Sequence, residues 1–155
     1  MVVVKGERIK DKQHNIKVGA IRVIRLTLQY EALGYLVCPI IKSHEGVDMI
    51  VISLPDGRIR KVIEVTNWNE KWVMPWDKLR RYITVLTHFQ SIEGVEMELV
   101  VSYEYNISPQ QREELKRSHI RLNVMGKQDL DFNILGSYPE YFEEVKLEEA
   151  WQENE

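Results

Sequence analysis

Two apolar, β-branched runs stand out along the chain, Met49 to Leu54 and Ile59 to Val65, separated by Pro55-Asp56-Gly57. Proline presets the first corner of a type I turn, and glycine takes the left-handed position that closes a three-residue hairpin loop. The pattern predicts a β-hairpin. Upstream, Ile21, Ile24, Leu28 and Leu33 fall near one helical stripe, so Lys17 to Leu33 is predicted as a helix stopped by Gly34. Arg22, Arg25 and Gln29 line another face of it. Tyr35 to Ile41 reads as a strand, with Pro39 marking an edge position. Val2 to Val4 is a candidate short strand. The polar stretch Lys5 to Asn15 reads as a loop or arm, either solvated or contacting phosphate.

Downstream, Leu79, Tyr82, Ile83 and Leu86 predict a helix over Pro75 to Phe89, with Lys78, Arg80 and Arg81 on its basic exposed side. Val95 to Tyr105 is the next strand, and strand–helix–strand in this order implies a parallel crossover. Ser108-Pro109-Gln110-Gln111 is a helix start: serine as cap, proline first, glutamine three residues on. That helix is expected to reach about Ser118, and Ile120 to Met125 forms a strand ended by Gly126. The stretch to Tyr138 reads as irregular, and Phe142 to Trp151 as a final amphipathic helix.

The hairpin carries the candidate chemistry. A three-residue loop sets Leu54 opposite Arg58, Ile52 opposite Arg60, Ile50 opposite Val62 and Asp48 opposite Glu64, all on one face. Opposed residues have Cβ atoms roughly 4.5–5.5 Å apart, and like charges so placed repel. A divalent cation between them reverses the sign, and Mg²⁺ is held by one or two carboxylates plus waters and phosphates. Two alternatives stay open. Glu64 pairs with an arginine, or a two-residue Asp56-Gly57 loop places the acids on opposite faces.

Composition narrows the class. A chain of 155 residues, 44% hydrophobic and 29% charged, is expected to be one globular domain. No apolar run is long enough to span a membrane. A single cysteine, Cys38 in an apolar strand, excludes an internal disulfide and fits a reducing, cytoplasmic setting. The net charge is −3, but Pro139 to Glu155 holds seven Glu and one Lys, a net of −6, so the remainder carries +3. Residues 1–138 are therefore read as the domain and 139–155 as an acidic tail or helix, either solvated or folded over a basic surface. His14, His44, His88 and His119 lack zinc spacing, and no glycine-rich phosphate loop is present. Trp68, Trp72 and Trp76 recur every four residues, which suits a core or interface stripe, a homodimer contact, or stacking on splayed bases.

In order, the helix, Leu33-Gly34-Tyr35 into a strand, Gly46-Val47-Asp48, Ile63-Glu64-Val65-Thr66, a basic helix and a parallel strand resemble the PD-(D/E)XK nuclease superfamily. The nearest look is to archaeal-type Holliday junction resolvases, over roughly Lys17 to Met125. The resemblance implies an α/β, restriction-endonuclease-like fold: a central mixed sheet, an αβββαβ core plus an extra helix and strand, flanked by helices. It implies a metal-dependent DNA endonuclease acting on branched or structured DNA, and a homodimer, which this fold class often forms. Asp48 and Glu64 would coordinate Mg²⁺ or Mn²⁺, which activates water and stabilises the leaving oxygen. Ser43 and His44 would approach DNA, and Lys78 and Arg81 would lie along its backbone. Two positions depart from the pattern. Thr66 stands where the family has the lysine that orients the attacking water, and Lys42, Lys71 or Lys78 would have to reach in. Arg22, Val23 and Arg25 stand where resolvases carry a first-helix glutamate, with Glu7 or Asp11 as replacements. A silent member of the fold, serving as a DNA-binding or assembly subunit, is the second expectation. An unrelated α/β interaction protein is the third.

Overall fold

The computed structural model describes residues 5–39, 47–66 and 72–126, with backbone alone at 5–18 and 39. The elements run α1 (Lys5–Ala32), β1 (Leu36–Pro39), β2 (Met49–Ile52), β3 (Ile59–Val65), α2 (Trp76–Thr87), β4 (Glu96–Val101), a 3₁₀ turn (Glu104–Asn106), α3 (Pro109–Arg117) and β5 (Ile120–Val124). The five strands form one sheet in chain order, β1-β2-β3-β4-β5. The first two pairings are antiparallel and the last two parallel, through α2 and α3 as crossovers. The protein is thus α/β, a mixed sheet flanked by helices, and β1 with Pro39 is an edge strand as expected. Val2 to Val4, the expected end of β1 at Ile41, and everything beyond Gly126 lie outside the described residues.

The alternation of β3 divides the core. Ile63 faces α1 with Leu26, Val37, Met49, Val51 and Val100, while Val62 faces the other side with Leu79, Leu86, Leu99, Val101 and Leu115. A strand covered on both faces reads as a near-continuous apolar run, which is why Ile59 to Val65 was legible. No helix among the described residues is long and apolar enough to cross a membrane.

Two expectations for α1 are corrected. Lys5 to Asn15 is helical, not an arm, and α1 has 28 residues. Lys, Glu, Arg and Ile are adequate helix formers, and extending an existing helix needs no new nucleus, so polarity alone does not end one. Ile21 and Ile24 of the predicted stripe are fully buried, but Leu28 and Leu33 are 40% and 73% exposed, and the α1 residues that pack with the sheet are Val23, Leu26 and Tyr30. Leu33 lies past the last helical turn, where the helical period no longer applies. Cys38 is half-buried rather than fully enclosed.

The start of α3 is as the sequence predicts. Gln111 N–H donates to Ser108 Oγ (3.2 Å), and Ser108 N–H donates to Gln111 Oε1 (2.8 Å). Ser108→Ala is expected to cost about 1 kcal/mol in urea denaturation, the usual value of such a cap.

Candidate metal centre

The hairpin arrives at the expected register by an unexpected route. Ser53 and Arg58 close the loop (Ser53 N to Arg58 O, 2.9 Å), so it spans four residues, Leu54 to Gly57, and the Leu54–Pro55 peptide is cis rather than part of a type I corner. Ile52 pairs with Ile59, not Arg60, whereas Val51 pairs with Lys61 and Ile50 with Val62. Arg60 is therefore a bulge. The longer loop shifts the pairing by one residue and the bulge shifts it back, which leaves Asp48 level with Glu64. The Arg60 guanidinium bonds Ser53 Oγ (3.0 Å) and Asp56 Oδ2 (3.1 Å), so the bulged residue also fastens the loop.

At the open end of the ribbon the two acids meet. Asp48 Oδ2 accepts from Val65 N–H at 2.7 Å, and Asp48 N–H donates to Ile63 O at 3.1 Å. This fixes the Asp48 carboxylate against the end of β3. Glu64 is 6% exposed. Its carboxyl is pushed up to about 10, first by burial and then by the hydrogen bond and charge of Asp48, while Arg81 and the Asp48 backbone pull the other way. Without a cation the pair therefore holds a proton that two separated acids would have released at neutral pH.

A pH dependence follows from that proton. The glutamate of the unfolded chain releases it near the ordinary value of 4.5, and the folded one only near 10. Between these limits the folded chain binds more protons. Stability is fully present at low pH and falls as pH rises, by at most about 1.4 kcal/mol per pH unit. Urea denaturation in chelator from pH 5 to 9 is expected to show the decline, and Glu64→Gln to flatten it.

The donor set fits a hard divalent cation. Two converging carboxyls are what Mg²⁺ or Mn²⁺ takes, with waters and phosphate oxygens completing the shell. Among the described residues no third His, Cys, Asp or Glu joins them.

Thr66 is not free to act. It is 4% exposed, and both its N–H (2.9 Å) and its hydroxyl (2.7 Å) donate to Val100 O of β4. Its own carbonyl accepts from Arg22 Nη1 at 2.8 Å. Arg22, off the predicted apolar stripe, is nonetheless buried, at 4% exposed. It also donates to Ser102 Oγ (2.5 Å) and Gly126 O (3.3 Å), gathering the residues that follow β3, β4 and β5. Burial lowers its pKa, yet a guanidinium keeps its charge in proteins. The available signal was its place four residues before Leu26, on the row that meets the sheet.

Lys61, three residues before Glu64 on β3, lies on the opposite face because strand side chains alternate. Its ammonium bonds Tyr30 Oη (2.9 Å) and the buried Glu98 (3.3 Å). Burial alone would lower its pKa, but Tyr30 and Glu98 outweigh that and raise it. Arg81 of α2 is near enough to Glu64 to favour its charged form, whereas Lys78 is half-buried on the same helix with no contact to the pair among those resolved. Ser43, His44, Lys42, Lys71 and Trp68, and the side chains of Glu7 and Asp11, lie outside the described residues.

No protein-family model matches the chain, and no curated protein matches it. Among solved structures, a repair endonuclease from Pyrococcus abyssi superposes with a TM-score of 0.47 at 14% identity, over 72% of this chain and 47% of that one. The chain thus spans about half the length of that protein.

Proposed function

We propose that this chain is a metal-dependent nuclease of the restriction-endonuclease-like kind that hydrolyses phosphodiesters in DNA, with branched DNA as its preferred form. The observation that carries the reading is the Asp48–Glu64 pair. Buried Glu64 is held against half-buried Asp48 with a proton between them, at a cost that folding alone gives no reason to bear. A cation held by them supplies Lewis-acid activation of water and offsets charge on the scissile phosphate. Glu64 gives up the shared proton as the cation binds, so binding tightens with pH. Asp48 is oriented in advance by Val65 N–H, and Arg81 contributes positive charge on the same side. Arg22 holds the ends of β3 and β4 together immediately beyond Glu64.

A second reading is favoured by Thr66. With its hydroxyl engaged by Val100 O, nothing at that position assists a water, which suits a catalytically silent DNA-binding or assembly subunit. A cleavage assay on linear, single-stranded and four-way-junction DNA separates the two. The nuclease cuts in Mg²⁺ or Mn²⁺ and stops in chelator. The silent protein binds in a salt-sensitive way and never cuts.

A further inference from the structure

We propose that Trp72, Trp76 and Tyr105 form a stacking shelf for the unpaired bases of a single DNA strand. The identification of DNA rests on the nuclease reading; the strand state it takes goes beyond that reading. Trp72 is 56% exposed, Val73 54%, Trp76 40% and Tyr105 72%. Large apolar side chains left this exposed mark a candidate binding surface.

The backbone beneath this surface is held from both sides. Fully buried Asn106 donates from Nδ2 to Trp72 O (2.8 Å), and its own carbonyl accepts from Met74 N–H (2.7 Å). Buried Gln111 donates from Nε2 to Met74 O (2.5 Å). Met74 points into the core, so Trp72 and Val73 are presented outward on a fixed segment. Tyr105 immediately precedes the asparagine that pins Trp72, which brings the two rings to one end of the sheet. Fixing aromatic rings in water brings no benefit to folding, but it removes the ordering cost of binding.

Charge and shape select the occupant. The Arg80 guanidinium lies over the Trp76 ring at 5.6 Å, and Lys78 and Arg81 share its two helical turns. Flat π faces interleaved with cations are the recognition chemistry of a single nucleic-acid strand. Duplex bases stack on one another and present edges rather than faces. Arg81, whose charge acts on Glu64, follows Trp76 by five residues, so one helix carries both the ring and the residue that senses the acid pair.

Binding is measured on the Asp48→Ala chain in chelator, so that no cleavage intervenes, with fluorescent oligo(dT) and a duplex of equal length. Oligo(dT) is expected to bind at least about 10-fold tighter than duplex, and Trp72→Ala or Tyr105→Ala to weaken it roughly 5- to 100-fold. Trp72→Phe retains most of the affinity because a ring remains. Equal affinity for both probes, or alanine variants that lose nothing, overturns the proposal. So does a dimer that Trp72→Ala splits without changing oligo(dT) binding, because the shelf is then a contact between copies. Metal-dependent cleavage by the parent chain, together with shelf variants that bind oligo(dT) as well as Asp48→Ala alone does, keeps the nuclease reading and removes the shelf. Ring-dependent oligo(dT) binding without metal-dependent cleavage does the reverse.

Discussion

Exchanging Asp48 for asparagine is expected to lower metal-dependent DNA cleavage by on the order of 10³-fold or more, while leaving the fold at least as stable as before. Asparagine keeps an oxygen for Val65 N–H, the contact that fixes residue 48 to β3. It removes one of the two charges that compete for a proton at Glu64. At pH 8, where the buried pair is least favourable, the variant is expected to gain up to about 1 kcal/mol. Glu64→Gln should behave alike, with cleavage lost and the pH dependence of stability flattened. A pair that served only the fold would give the opposite pattern, with stability lost and any activity spared. Paired cleavage and urea-denaturation measurements on both variants check the sign of each effect.

Arg22→Met is expected to destabilise the chain by about 3–5 kcal/mol. The guanidinium supplies hydrogen bonds to Thr66 O, Ser102 Oγ and Gly126 O from a buried position. Methionine fills the volume but leaves those acceptors without their donor, and bonds from a charged donor are the stronger kind. Arg22→Lys should fall between, since lysine keeps the charge and loses the planar fork. Because Thr66 follows Glu64 by two residues, the loosened strand end should also weaken cation binding. The denaturation midpoint reads the first effect and a Mn²⁺ titration the second. An Arg22→Met chain as stable as the parent would remove this residue from the account.

The hairpin was legible in the sequence because two faces of packing had to be satisfied at once. Ile63 with α1 and Val62 with α2 leave Glu64 a single side to occupy, whatever the loop does. The loop itself was not legible. Nothing in Pro55-Asp56-Gly57 announces that a fourth loop residue is offset by a bulge at Arg60, and the register came out right because the two shifts cancel. The start of α1 is missed because hydrophobic period detects the apolar stripe of a helix and is silent about a polar extension of it. Arg22 escaped for a related reason. An arginine on a helix is ordinarily solvated, and only tertiary structure shows three acceptors from distant chain segments waiting at one point. Ser43 and His44 lie outside the described residues, so the DNA-contacting part of the expectation rests on α2.

The central claim is that Asp48 and Glu64 together hold one divalent cation. Mn²⁺ titration followed by electron paramagnetic resonance at pH 8 tests it without requiring turnover. One bound ion per chain is predicted, displaced by Mg²⁺ and abolished in both Asp48→Asn and Glu64→Gln. Undiminished binding in those two variants, or no binding in the parent chain, would contradict it.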